Sequence, residues 1–84
     1  MVTMKLEIIT PESIIYSGDV ESVIAPGMEG ELGILPHHAA LMTSLKCGDI
    51  TVTVDGTNNR YPVSGGFLEV IDNKVTILAD SPEN

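Results

Sequence analysis

Three sets of side chains in this sequence have the chemistry of a reactive site: the adjacent imidazoles of His37 and His38, the lone thiol of Cys47, and the carboxylates of Glu29 and Glu31. Each set lacks a partner that its reaction requires. Neighbouring residues on a strand point to opposite faces, so His37 and His38 do not converge on one metal ion, and no Cys, His or Asp cluster at ligand spacing joins them. The expected imidazole here is a partly buried one bonded to a backbone carbonyl. Cys47 follows Lys46, and a nearby cation lowers a thiol's pKa. Without a base and an oxyanion site beside it, an inert thiol is the expectation. General acid–base work by Glu29 and Glu31 needs one carboxylate desolvated, and nothing apolar enough flanks them. Their glycine-rich surroundings make no phosphate cradle, because the segment lacks a Lys-Ser/Thr pair, leads into no helix and carries negative charge. No catalytic residue, metal ligand, cofactor or small-molecule substrate is therefore expected.

The segment that positions these groups runs from Val23 to Leu45. Gly27, Gly30 and Gly33 recur at every third residue, with Pro26 and Pro36 outside them. In a helix interior each Gly costs about 1 kcal/mol and each Pro about 3 kcal/mol, so this segment is not helical. It reads as a shaped loop with Glu29 and Glu31 at its tip, carried between two strands, where a rigid scaffold presents functional residues.

The rest of the chain is a series of short strands. Met4 to Thr10 alternates, with Met4, Leu6 and Ile8 on one face. Ile14-Ile15-Tyr16 is a short strand, Ser17-Gly18 a turn, and Asp19 to Ala25 another strand, ended by Pro26 because proline cannot donate to a ladder. Ile34-Leu35 is a brief strand, Leu41 to Lys46 alternates, and Ile50 to Val54 is β-branched throughout. Asp55-Gly56 is a strong turn dipeptide, lengthened by Thr57-Asn58-Asn59. Arg60 to Val63 returns, Ser64-Gly65-Gly66 turns a corner, and Phe67 to Ile71 and Lys74 to Ala79 form a hairpin through Asp72-Asn73. Eight to ten short, mostly antiparallel strands with no helical period describe an all-β flattened sandwich or barrel over residues 1–80, with 81–84 as a short tail.

With 12 acidic residues against four basic ones, the net charge is -8. That balance disfavours nucleic acid and anionic lipid surfaces. No apolar run reaches the roughly 18 residues of a membrane span, no signal-like segment opens the chain, and a single cysteine fits a reducing compartment. A chain this short buries only about 60 per cent of its unfolded surface, which leaves little room for a deep cleft.

The order of residues carries more than their composition. Ala25-Pro26-Gly27, Glu29-Gly30-Glu31-Leu32-Gly33-Ile34-Leu35-Pro36, His38-Ala39, Leu41-Met42-Thr43, Val63 to Val70 and Val75 to Asp80 resemble the epsilon subunit of the F-type ATP synthase. Thr10-Pro11-Glu12 and Tyr16-Ser17-Gly18 extend the likeness over nearly the whole chain. The resemblance implies a non-catalytic rotor subunit of the central stalk, peripheral to the cytoplasmic face of an energy-coupling membrane without inserting into lipid. By motif, Met28, Glu29, Gly30, Glu31 and Leu32 would lie against the c-ring. Thr10, His38, Ala39, Leu41, Met42 and Thr43 would lie against the gamma subunit.

Two departures qualify it. Relatives commonly read Pro-Gly-His-Ala-Pro where this chain has Pro36-His37-His38-Ala39-Ala40. The family's carboxy-terminal pair of helices, which brakes ATP hydrolysis, is also absent from these 84 residues, so coupling without that brake is expected. The competing expectation is a stand-alone β-sandwich metal-dependent hydrolase or binding module using His37, His38 and the acidic segment.

Overall fold

The computed structural model describes residues 2–80, which form nine strands. They are β1 (Met4–Ile9), β2 (Ile14–Val20), β3 (Ser22–Gly27), β4 (Gly30–Ile34), β5 (Leu41–Leu45), β6 (Gly48–Val54), β7 (Thr57–Val63), β8 (Gly66–Ile71) and β9 (Lys74–Ala79). The tail at 81–84 lies outside the described residues. The strands hydrogen-bond into one curled sheet in the order β2-β1-β9-β8-β5-β3-β6-β7, with β4 paired to β3. All pairings are antiparallel except β1 with β9.

Alternation determines what the curled sheet encloses. Leu6 and Ile8 of β1, Leu68 and Val70 of β8, and Val75 and Ile77 of β9 turn inward and are fully buried, as are Val23 of β3 and Ile50 and Val52 of β6. The core is aliphatic. Burying each such side chain contributes about 1.5–3 kcal/mol, and Tyr16, Leu32, Leu41 and Tyr61 pack around its margin.

Four local expectations are corrected. Ser17-Gly18 is no turn, since β2 continues through both residues to Val20. Gly18 instead makes room, because a β-carbon there would stand 3.1 Å from the Tyr16 hydroxyl. The break falls at Glu21, so the strand read as Asp19 to Ala25 is the end of β2 and the start of β3. Its two buried valines, Val20 and Val23, are three residues apart, a spacing that one unbroken strand cannot turn to one face.

Pro26 does not end β3. The ladder from β3 to β6 stops at Ile24 and that from β3 to β5 involves Gly27, so the missing N–H falls in the gap between them. The Pro26 carbonyl accepts a bond from the Lys46 N–H at 2.9 Å. Finally, Thr57-Asn58-Asn59 belongs to β7, and Asp55-Gly56 is a tight two-residue turn with φ of 51° and 77°, the positive pair that a type I′ hairpin requires.

Candidate functional site

The outward face of β1, β9, β8 and β5 should be polar if it meets only water. Register instead aligns Ile9 with Leu78, Leu78 with Phe67, and Phe67 with Ser44 in one row across four strands. Phe67 is 51% exposed and Leu78 54%. Met42, 66% exposed, stands opposite Glu69 in the adjacent row and shares with Phe67 and Leu78 a dimple of about 90 Å³. At the end of β1 the row opens into a groove of about 600 Å³ walled by Thr10, Pro11 and Asp80. The ion pair of Lys74 with Glu7, at 3.3 Å, edges the strip.

Thr10 and Met42, far apart in sequence, thus border the same apolar strip. Thr10 itself is 7% exposed. Its hydroxyl donates to the Ser13 carbonyl and accepts from the Ser13 N–H, both at 3.1 Å, closing the turn between β1 and β2. Leu41 and Thr43 alternate with Met42, so they face the inner side of β5, opposite buried Val70 and Leu68. The strip's largest members, Phe67 and Leu78, escaped the sequence reading. The available signal was an apolar residue at some outward positions, Phe67 and Ile71 of β8 and Leu78 of β9, of two strands whose inward positions were already apolar or glycine.

His38 and Ala39 are exposed in the connection before β5. The two histidines are not on a strand. His38 donates its N–H to the Leu35 carbonyl at 3.2 Å, and its Nδ1 lies 2.8 Å from the Ala39 carbonyl. The expected bond to a backbone carbonyl is present, but the ring is exposed rather than partly buried.

The segment read as a long loop is a β-hairpin. Met28 and Glu29 form its two-residue turn, and Gly30, Glu31 and Leu32 belong to β4, paired back to Gly27, Pro26 and Ala25. Gly30 has φ of +130°, a conformation that L side chains rarely adopt. Met28, Glu29, Gly30 and Glu31 are exposed, while Leu32 packs against the core. The Met28 N–H donates to the Ser44 carbonyl at 3.1 Å, so this hairpin sits at the end of β5 opposite His38. Five residues of strand, about 13–17 Å, separate the two.

Among the described residues, no three of His, Cys, Asp and Glu come together, and Cys47 is exposed. Among the described residues the one clear electrostatic perturbation is at Tyr16: burial raises its phenol above the ordinary 10.0, and Tyr61 and Asp19 push the same way. The Tyr16 and Tyr61 rings lie 5.7 Å apart. No helix long and apolar enough to cross a membrane occurs among the described residues.

An all-β sandwich that turns an apolar strip outward and sets an acidic hairpin beside it has the form of a docking domain. Residues 3–84 match the beta-sandwich domain of the ATP synthase delta/epsilon chain, and the chain belongs to that family. It is 51% identical over 81 residues to the ATP synthase epsilon chain of Pelotomaculum thermopropionicum, which covers 96% of this chain and 60% of that one. To the epsilon chain of Brevibacillus brevis it is 46% identical over 84 residues, covering 99% and 64%. The chain therefore spans about three-fifths of the length of these curated relatives. Among solved structures, a chain of the Euglena gracilis mitochondrial ATP synthase, in an assembly of OSCP, F1 and c-ring, superposes with a TM-score of 0.87 at 27% identity, covering 94% of this chain and 51% of that one. A chain from the Tetrahymena thermophila mitochondrial ATP synthase shares the fold, with a TM-score of 0.78 at 21% identity and coverage of 93% and 63%.

Proposed function

We propose that this chain is a non-catalytic rotor domain of an F-type ATP synthase, which joins the gamma subunit to the c-ring so that the three turn together during proton-driven ATP synthesis. The observation that carries the reading is the pair of surfaces at β5. An apolar strip and the His38 turn lie along one side and end of the strand, and an acidic hairpin lies at its other end. The strip, with Met42, Phe67 and Leu78, suits the apolar face of a protein partner, and Thr10, His38, Ala39, Leu41 and Thr43 flank or support it. Met28, Glu29, Gly30, Glu31 and Leu32 form the surface for the c-ring. The similar Euglena chain comes from an assembly that contains F1 and a c-ring, which supports a place in the central part of such an assembly.

The physical demands of the role are met locally. A sheet bonded through eight successive strands, with β4 paired to β3, resists torsion, and a two-residue hairpin turn loses little entropy on docking. Exposed carboxylates at Glu29 and Glu31 guide encounter and register with basic or amide groups on the ring. The domain then works at the membrane surface without entering lipid. The coupling role belongs to the β-sandwich domain by itself: added alone to an epsilon-depleted enzyme, the domain leaves hydrolysis running, and full inhibition by it would refute that part.

The decisive experiment is a pull-down of the tagged chain against purified gamma subunit and detergent-solubilised c-ring. Glu31→Lys is expected to release the ring and still bind gamma, whereas His38→Ala is expected to release gamma and still bind the ring. Failure of the unaltered chain to bind either partner would refute the rotor reading.

A further inference from the structure

The turn that presents His38 carries an unfavourable residue. Leu35, Pro36, His37 and His38 close through the His38 N–H to the Leu35 carbonyl, and His37, in the third position, has φ of 65°. Proline second and a positive φ third is the type II pattern, whose third position favours glycine or asparagine. A histidine there needs support from outside its own turn.

That support comes from the β8–β9 turn. Asn73 Oδ1 accepts the His37 N–H at 2.8 Å, across 36 positions of sequence. Its Nδ2 donates to the Thr3 carbonyl at 3.0 Å, across 70 positions, and its main-chain carbonyl accepts from the Lys5 N–H at 3.2 Å. One amide thus meets a donor with its oxygen and an acceptor with its nitrogen, an arrangement only one orientation of the group satisfies. Asn73 has φ of 62°, and glycine or aspartate would serve that turn equally well. Asparagine alone among the three offers both an acceptor to His37 and a donor to Thr3.

We infer that Asn73 is a positioning residue for the gamma-facing segment: through the His37 amide it holds the Leu35–His38 turn in its left-handed form, and so sets where His38 and Ala39 stand. The inference rests on the gamma reading of His38 and Ala39. Asn73 touches no partner itself. It lowers the cost of ordering the turn on docking by ordering it beforehand.

The test compares the unaltered 84-residue chain with Asn73→Gly, which keeps the turn and loses both side-chain bonds, and Asn73→Asp, which keeps the acceptor for His37. Affinity for purified gamma subunit is measured by calorimetry and protection of the His37 amide by hydrogen exchange. Asn73→Gly loses protection at His37 and binds gamma about fivefold more weakly, the worth of one net hydrogen bond. Asn73→Asp restores the protection and most of the affinity, and c-ring binding through the distant hairpin is unchanged in both. A merely structural role would lower both affinities together, or neither. If the unaltered chain binds gamma and Asn73→Gly binds equally well or keeps His37 protected, the inference fails alone. If the unaltered chain does not bind gamma, the proposed function fails and takes this inference with it.

Discussion

Replacing Phe67 by threonine separates the energetic worth of the outward strip from that of the core behind it. Threonine suits a strand, so the backbone of β8 is kept. Full burial of a phenylalanine contributes about 1.5–3 kcal/mol, and Phe67 is half exposed, at 51%. About half of that value, near 1 kcal/mol, already stabilises the isolated domain. Its loss lowers the melting temperature by about 4–8 °C for a domain of this size. The other half is gained only when a partner covers the strip, so gamma affinity falls by about five- to tenfold. Titration calorimetry against gamma at several temperatures reads the second effect, and the heat-capacity change of association becomes less negative as apolar burial is removed. Leu78→Thr behaves similarly. Because Leu78 lies directly across from Phe67, the double variant loses less than the sum of the singles. Ile24, on the outside of β3 and 40% exposed, is the control, since Ile24→Thr lowers stability and leaves gamma affinity alone. Equal losses of affinity from Phe67→Thr and Ile24→Thr, or a Phe67→Thr affinity within about twofold of the unaltered chain, would refute the assignment of this face.

Three further outcomes follow from particular contacts. A β-carbon on Gly27 would stand 2.7 Å from the Gly30 carbonyl oxygen and 3.0 Å from Leu32 Cγ, so Gly27→Ala costs about 1–3 kcal/mol by overpacking; denaturant unfolding should show it, and an unchanged midpoint would contradict the close approach. Thr10→Val removes the two hydroxyl bonds to Ser13, keeps the Thr10 N–H bond to the Ser13 carbonyl at 2.8 Å and lowers stability by about 1 kcal/mol, while gamma affinity stays within about twofold if Thr10 supplies only the groove wall. Tyr16 has a raised pKa in the fold, so the native state holds its proton more tightly than the unfolded chain. Stability is therefore fully present below the ordinary phenol value of 10.0 and declines as pH rises through the folded pKa. Tyr16→Phe removes that alkaline decline, which thermal unfolding across a pH series measures; an identical decline in both proteins would exclude Tyr16 as its source.

Alternation made β1 and β6 legible in the sequence, because their inward positions are apolar and most of their outward ones polar. The Asp72-Asn73 hairpin was legible for a local reason, since both residues accept positive φ. What escaped depended on contacts that residue type alone does not show, some of them distant in sequence. Gly18 resembles a turn residue until the Tyr16 ring is seen folded over it, and Pro26 resembles a strand terminator until β3 is seen passing from one partner strand to another at that residue. The candidate residues on the connection before β5 and on the β3–β4 hairpin were legible as ordered motifs. The Phe67–Leu78 strip was not, because three separate registers create it, and the role of Asn73 depends on two contacts that no local pattern encodes.

The parallel pairing of β1 with β9 also governs how the chain can acquire its shape. The first strand cannot gain its second neighbour until the last has left the ribosome, and the Asn73 bond to Thr3 spans 70 positions. Loop closure over such distances must precede the contacts that reward it, which slows folding. Early hairpins such as β3–β4 and β6–β7 can form during synthesis, but β1 keeps an open edge until the end. Such an edge is a template for pairing with other chains, so nascent copies held short of β9 are the species in which aggregation would begin.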